Sequence, residues 1–175
     1  MKIAITGVPC VGKTTVSKLL AKRLKYKYMN INELAENLNA YIGYDKKLKS
    51  KIVDVKKISK EIDKMKNDIV LDGHFSHEFK VDTVIILRCN PKILEKRLKK
   101  KYPKNPFKVK ENVDTEILGV ITSEVLKLNK KFYEIDTTNK KSEEIVGKII
   151  ELLKNRPKIL IGEIDWLRMG FEPSK

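Results

Sequence analysis

Two patterns of apolar residues alternate along the chain. Short apolar segments of strand length alternate with longer segments whose apolar residues recur every three or four positions, as in amphipathic helices. The predicted strands are 2–7, 27–31, 68–73, 83–89 and 132–138. The predicted helices are 13–24, 54–66, 90–101, 110–128 and 142–153, and the segment 32–44 is predicted to begin as a helix and to break near Gly43. The segments 68–73 and 83–89 each contain a continuous apolar run, 69–71 and 84–87, which is typical of parallel strands buried on both faces. The alternation predicts a three-layer α/β fold with five parallel strands and helices on both faces of the sheet.

Prolines interrupt the pattern twice. The segment "YPKNPF" (102–107) holds two prolines and is predicted to be a loop. After Pro157 a short tail, 157–175, carries Trp166 and other large apolar residues. We expect this C-terminal extension to pack against the core, and a partner-binding peptide is the alternative. The 175 residues suit one domain.

The composition indicates a soluble globular protein rather than a membrane protein. The chain is 41% hydrophobic and 35% charged, and no run approaches the ~20 apolar residues that would span a bilayer. It starts directly in a strand pattern without an apolar signal region. We therefore expect a cytoplasmic protein with no membrane partner. Two cysteines, Cys10 and Cys89, make no disulfide framework and are interpreted as reduced thiols.

The formal charge of +15 comes from 38 basic and 23 acidic residues. Such an excess favours anionic partners such as nucleotides or RNA. The alternative is that lysines spread along helices simply keep the surface soluble.

The stretch "GVPCVGKTT" (7–15) lies between the first predicted strand and the first predicted helix. It matches the phosphate-binding loop pattern G-x-x-x-x-G-K-[ST] through Gly7, Gly12, Lys13 and Thr14, with Cys10 inside the loop. Glycine lets the backbone approach phosphates, and successive N–H groups then form an anion nest at the helix N-terminus. Lys13 would reach the β- and γ-phosphates, the Thr14 hydroxyl would bind Mg²⁺, and Thr15 would contact the α-phosphate. The sequence therefore predicts a bound nucleoside triphosphate.

The segment "IVLDGHFSH" (69–77) ends a predicted strand with an acid. Asp72 stands where phosphate-loop enzymes hold the shell of their Mg²⁺ ion, so it is the second metal candidate beside Thr14. His74 could orient a water or an acceptor phosphate. The alternative is that Asp72 and Gly73 only form a turn. His74 and His77 are the only histidines, and with no cysteine or third histidine nearby in sequence a metal site built on them is disfavoured.

Phosphoryl transfer needs positive charge around the moving phosphate and exclusion of water. The segment "EKRLKKKYPKNPFKVK" (95–110) is densely basic and bounded by prolines, as a mobile lid would be. A solvated helix face is the alternative. Arg97 is the more informative cation because the chain has only five arginines.

The phosphate loop, the "LDGH" strand end and "LRCNPKILEKRLKKKY…KVKENVDTEILGV" together resemble the adenylate kinase isoenzyme 6 family over roughly residues 1–155. The resemblance implies a P-loop nucleoside monophosphate kinase fold, with an acceptor-binding segment near 30–53 and a short lid near 99–109. It implies ATP and Mg²⁺ as cofactors, AMP or another nucleoside monophosphate as acceptor, and ATPase activity supported by Asp72 and His74. Where the family has Arg-Gly before the lid tyrosine, this chain has Lys100 and Lys101.

The same resemblance implies a role in small ribosomal subunit maturation, with ribosomal protein uS11 and its pre-rRNA complex as partners. Two functions therefore stand beside each other: a kinase that phosphorylates AMP, and an ATPase that remodels a ribosomal protein–rRNA complex. A kinase for a small metabolite or an RNA 5′ end shares the loop but lacks the Asp72-x-His74 signature. A direct rRNA nuclease has no support, because no paired acids or multi-histidine set is visible.

Overall fold

The computed structural model describes residues 1–46, 50–157 and 163–174. Its strands, numbered in chain order, are β1 (Lys2–Thr6), β2 (Lys27–Asn30), β3 (Tyr41–Asp45), β4 (Ser50–Val53), β5 (Ile69–Asp72), β6 (Thr83–Arg88) and β7 (Phe132–Asp136). Its helices are α1 (Lys13–Leu24), α2 (Ile31–Asn37), α3 (Val55–Lys64), α4 (Pro91–Lys101), α5 (Pro106–Ile117), α6 (Val120–Lys127) and α7 (Ser142–Asn155). One short 3₁₀ turn, Ser76–Glu78, follows β5.

Five strands form one parallel sheet in the order β2-β5-β1-β6-β7. In the register, Ile5 of β1 lies opposite Asp72 of β5 and Ile85 of β6, and Asn30 of β2 also lies opposite Asp72. The carboxyl ends of these strands therefore meet at one edge, where open α/β sheets bind their ligands. The predicted α/β class with five parallel strands is confirmed.

The strands contribute apolar side chains to both faces of the sheet, because successive side chains point to opposite sides. On one face Ile3 and Ile5 pack with apolar residues of α1, α4 and α7. On the other face Ala4 packs with Val125 of α6, and the β5 residues on this face pack under α2 and α3. Helices cover both faces, which explains why the middle positions of the central strands are continuously apolar.

The segment 32–44 begins as a helix, as predicted, but the helix ends well before the predicted break near Gly43. Helix α2 ends at Asn37, Asn39 takes a left-handed conformation with φ 47°, and Tyr41–Asp45 pairs with Ser50–Val53 as an antiparallel hairpin. The hairpin is rich in aromatic and β-branched residues, Tyr41, Ile42, Tyr44, Ile52 and Val53, which favour strands. Residues 47–49 of the predicted acceptor segment lie outside the described residues.

The predicted long helix over 110–128 is two helices. Gly119 stands between α5 and α6 with φ 59°, a left-handed conformation that ends the first helix. Helix α5 also begins earlier than predicted, since Asn105 caps it by accepting from the Lys108 amide at 2.9 Å and Pro106 occupies its first turn. Only the first part of the predicted 102–107 loop is therefore non-helical.

The described part of the tail, 163–174, packs against the core as expected. Trp166 is 4% exposed, donates from Nε1 to Glu116 at 2.8 Å and meets the ring of Phe171 edge-on at 5.8 Å. The Ser174 amide donates to Asp114 at 2.8 Å. Residues 158–162 and 175 of the predicted extension lie outside the described ranges. Within those ranges, no helix is both long enough and apolar enough to cross a bilayer.

Candidate active site

The loop between β1 and α1 has the backbone of an anion-binding turn. Gly7, Cys10 and Gly12 all have positive φ, at 137°, 70° and 98°. A Cβ on Gly7 would lie 2.5 Å from the carbonyl oxygen of Leu87, so only glycine fits there. A Cβ on Gly12 would meet no protein atom within 4 Å, so glycine is required by φ alone and the space beside it is open. The predicted phosphate loop therefore has a backbone able to receive an anion.

Lys13 extends back over this loop. Its Nζ donates to the carbonyl oxygens of Gly7 at 2.9 Å and Val8 at 2.8 Å. The pKa of Lys13 is lowered to about 8, first because burial disfavours the ammonium and then because Lys101 is nearby, while Asp72 opposes the shift. A triphosphate in the loop would be a negatively charged partner for the Lys13 ammonium and would favour its protonated form.

Asp72 accepts three hydrogen bonds at one oxygen. The hydroxyl of Thr14 donates to Oδ2 at 2.7 Å, that of Tyr28 at 2.9 Å, and the Asn30 amide at 3.0 Å. Asp72 is only 1% exposed. Burial raises the pKa of Tyr28 to about 12, with Asp72 adding to the shift, so the phenol keeps its proton for this contact. The predicted metal candidates Thr14 and Asp72 are thus brought together.

The donor set fits a magnesium ion. A threonine hydroxyl at the start of α1 touching a strand-end carboxylate is the pair that holds Mg²⁺ in P-loop NTPases. Among the described residues no group of three or more His, Cys, Asp or Glu could hold a metal. The site therefore suits an ion that completes its shell with water and phosphate oxygens.

His74 lies two residues beyond Asp72 and is exposed as a residue, although protein atoms surround much of its imidazole. The ring meets Phe75 edge-on at 4.8 Å. Its pKa lies below the usual value, first because surrounding protein atoms desolvate the charged form and then because Lys13, His77 and Lys108 are positively charged or become so. His74 is therefore a neutral imidazole at pH 7, able to accept from a water.

Arg97 holds the outside of the loop. Its Nη1 donates to the carbonyl oxygen of Cys10 at 3.3 Å and lies 3.7 Å from Sγ of Cys89. On the same side Thr137, at the end of β7, donates to Val11 at 3.0 Å and Arg88 at 2.9 Å. These contacts place Arg97 against the loop backbone.

The predicted lid lysines differ in placement. Lys100 and Lys101 are both exposed at the end of α4. Lys101 lies close enough to Lys13 to lower its pKa, and its Nζ is 5.5 Å from the ring centre of Tyr102. Lys108 of α5 lies 4.9 Å from the same ring centre. Tyr102 thus gathers two cations, one from each side of the short loop.

Thr15 is exposed in the first turn of α1. Sequence reasoning missed Tyr28, Asn30, Thr137 and Lys108. A signal existed for Asn30 and Thr137: they stand near the carboxyl ends of predicted parallel strands, and such ends share one edge of the sheet.

A P-loop turn and a carboxylate at the end of the neighbouring strand, on a five-stranded parallel sheet with helices on both faces, define a protein of the P-loop class. Two solved kinases share the fold. A deoxyadenosine kinase from M. mycoides aligns with TM-score 0.59 at 18% identity over 90% of this chain and 100% of its own, and a shikimate kinase from Acinetobacter baumannii with 0.61 at 19% over 90% and 94%.

Sequence comparison gives the family. The model of the AAA domain family matches residues 3–119. A protein of Methanocaldococcus jannaschii named "Putative adenylate kinase" is 44% identical, covering 98% of this chain and 96% of its own. One of the same name from Thermococcus kodakarensis is 43% identical over 95% and 93%. The chain belongs to this archaeal adenylate kinase family.

Proposed function

We propose that the protein transfers the γ-phosphoryl group of ATP to a nucleoside monophosphate, AMP first, giving two ADP. The observation that carries this proposal is the 2.7 Å contact between Thr14 and the buried Asp72, directly below a loop shaped for phosphates. Mg²⁺ bound by Thr14 and the shell of Asp72 would neutralise charge on the β- and γ-phosphates.

In this proposal the chain supplies position and charge. The amides of 7–13 hold the triphosphate, and Lys13 leaves the carbonyl oxygens of Gly7 and Val8 for the phosphates. Arg97 keeps the loop backbone in place, while Lys101, with Lys100 beside it, brings positive charge to the moving group from the lid near 99–109. The phosphate of the acceptor is already anionic, so attack on the γ-phosphorus requires no general base.

The acceptor segment near 30–53 begins beside the phosphates. Asn30 at its start donates to Asp72, and the hairpin β3–β4 that follows exposes Ile42, Tyr44 and Ile52 by 70%, 58% and 45%. We assign the nucleoside of the acceptor to the side of the site that this segment borders. Without an acceptor, His74 would orient a water for slow hydrolysis of ATP.

The test is ADP formation from ATP, Mg²⁺ and AMP, with CMP, UMP, GMP and water as alternative acceptors. We expect AMP to raise ADP formation far above water, and Lys13→Met to abolish it. Lys22→Met is the matched control, since Lys22 is an exposed lysine of the same helix and should leave the rate unchanged. If AMP yields no more ADP than water does, the kinase proposal fails.

A second candidate is an ATPase that remodels a ribosomal protein–rRNA complex, with kinase activity secondary. It is supported by the net charge of +15 and by the family resemblance. Capture of uS11 or its pre-rRNA complex by the immobilised protein, with and without ATP, tests it. Capture that ignores nucleotide would count against this role.

A further inference from the structure

The turn after Asp72 is attached to the end of β1, the strand that leads into the phosphate loop. The amide of Gly73 and the hydroxyl of Ser76 both donate to the carbonyl oxygen of Ile5, at 3.3 and 2.9 Å. The hydroxyl of Thr6 donates to the carbonyl oxygen of His74 at 2.7 Å. Thr6 is 0% exposed, and this buried contact ties the His74 backbone to the strand that leads into the loop.

A second histidine competes for the same hydroxyl. His77 is 2% exposed, and its Nδ1 lies 3.0 Å from the Thr6 oxygen. Its other nitrogen, Nε2, lies 3.1 Å from a carboxylate oxygen of Glu124 on α6. The groups form a chain with three links: Glu124 to His77, His77 to Thr6, and Thr6 to the His74 carbonyl.

Each link needs one proton between its two heavy atoms. Thr6 supplies one, and a neutral imidazole supplies one more, so an ionised Glu124 leaves the chain one proton short. With an additional proton on His77 all three links form at once. Without it, the link to the ionised Glu124 keeps the imidazole proton because charge-assisted hydrogen bonds are the stronger ones. Nδ1 and the His74 carbonyl then compete for the single Thr6 proton.

The groups around His77 determine the pH at which it loses this proton. Burial lowers the pKa of His77 below its usual value, while Glu124 and, more weakly, a hydrogen bond to the backbone of His74 oppose that shift. Lys130, which donates to the carbonyl oxygens of His77 at 2.6 Å and Phe79 at 2.7 Å, lowers it further. The nearby Glu78 faces Glu124 and Lys130, and its pKa is raised, first by burial. The transition of His77 therefore falls on the acidic side of an ordinary histidine.

We propose that Thr6 and His77 are positioning residues for His74, and that the charge state of His77 decides how firmly Thr6 holds the His74 carbonyl. The proposal rests on the function proposed above for His74. Protonated His77 lets Thr6 donate to His74 alone. Neutral His77 draws the hydroxyl proton away and loosens the turn that carries Asp72-x-His74.

Nuclear magnetic resonance tests the chain without any assay of activity. In ¹⁵N-labelled protein titrated from pH 8 to pH 5, we expect neutral His77 to be the Nε2–H tautomer and to gain a proton on Nδ1 as pH falls. The amide of Phe75, joined to the His74 carbonyl, should shift with the same midpoint. Glu124→Gln should move that midpoint to lower pH, because the carboxylate favours the imidazolium.

Three results would overturn the proposal. They are a neutral His77 that carries its proton on Nδ1, a His77 that does not titrate, and a Phe75 amide whose chemical shift does not change when His77 titrates. Thr6→Val supplies the decisive comparison. In that variant His77 should still titrate beside Glu124 while the Phe75 amide no longer follows. Thr6→Ser should restore the response.

Turnover gives an independent readout. In the hydrolysis of ATP without an acceptor, Thr6→Val should lower kcat by about tenfold and change KM for ATP by less than about twofold. This is the effect of losing one positioning hydrogen bond. Thr6→Ser should recover most of the rate. If Thr6→Val lowers kcat equally in a His74→Ala background, Thr6 does not act through His74. An inactive wild type would refute the proposed function, and the titration would still decide the positioning chain.

Discussion

Glu116 offers the sharpest test of how this fold is held together near the site. It lies on α5 with a side chain 2% exposed, and its Oε1 accepts from Arg88 Nε at 2.8 Å, the Cys89 amide at 3.1 Å and Trp166 Nε1 at 2.8 Å. Arg88 has a second partner, Glu134. Burial alone would lower the pKa of Arg88, but the two carboxylates outweigh it and raise the pKa.

Glu116→Ala leaves two neutral buried donors without an acceptor, the Cys89 amide and the Trp166 ring. At the low end of the usual range these cost about 1 kcal/mol each. The loss of one of two charge-assisted bonds to Arg88 adds about 2 kcal/mol. The total of about 4 kcal/mol agrees with what breaking a buried ion pair costs, and corresponds to a fall in Tm of roughly 8–16 °C for a chain of this size.

The matched control is Glu95→Ala. Glu95 pairs with Lys99 at 2.7 Å, a distance like that of the buried pair, but both side chains are exposed, by 44% and 65%. Such a pair contributes about 0.5 kcal/mol. Burial, not pairing distance, is therefore the variable that separates the two glutamates.

Urea unfolding at 25 °C measures both variants, followed by circular dichroism and by the fluorescence of Trp166, the single tryptophan. Coincident curves in the wild type would show that the tail unfolds with the core. If Glu116→Ala costs no more than Glu95→Ala, the reasoning from burial and orphaned donors is refuted.

Three further predictions concern single contacts. Gly7→Ala should destabilise the protein by about 3 kcal/mol, because its Cβ would lie 2.5 Å from a backbone oxygen, while Gly12→Ala should cost only the ~1–2 kcal/mol of its left-handed backbone and mainly weaken ATP binding. Equal losses of Tm in the two variants would contradict this. Tyr28→Phe removes one of three donors to Asp72 and should cost about 1 kcal/mol in urea unfolding; an unchanged midpoint would show that this bond contributes nothing. Trp166→Phe should cost about 1–2 kcal/mol, less than Glu116→Ala, since Glu116 keeps its other donors. A larger loss would mean that the tail, not the carboxylate, organises this region.

The parts of the fold that local sequence decides were predictable. The phosphate loop follows from glycine, lysine and threonine at fixed spacing, and the buried strands follow from runs such as 83–89 that have no polar side. The contact of Thr14 with Asp72 was also within reach, since both stand at the carboxyl edge of neighbouring parallel strands.

The rest depends on partners distant in sequence. The hairpin Tyr41–Asp45 with Ser50–Val53 has a short amphipathic pattern that suits a helix as well as a strand, and only pairing decides between them. Gly119 interrupts a continuous helical pattern of apolar residues because it adopts φ 59°. The conformation of a glycine inside such a pattern cannot be predicted from the sequence around it. The hydrogen bond from Trp166 to Glu116 joins residues 50 positions apart, and no local sequence pattern predicts it.

The phosphate loop is held from two sides, and that arrangement decides which parts of the site can move. On one side the Thr6 hydroxyl holds the His74 turn to β1, and on the other Arg97 and Thr137 bind the loop carbonyls of Cys10 and Val11. The hairpin β3–β4 exposes Ile42, Tyr44 and Ile52, and Lys100 and Lys101 are exposed at the end of α4. We therefore expect rearrangement on nucleotide binding in the hairpin and the predicted lid, because a loop already fixed in the anion-binding conformation costs no further ordering. Hydrogen exchange should accordingly slow on ATP binding in the lid and hairpin far more than in β1, and a comparable slowing throughout β1 would contradict a preformed loop.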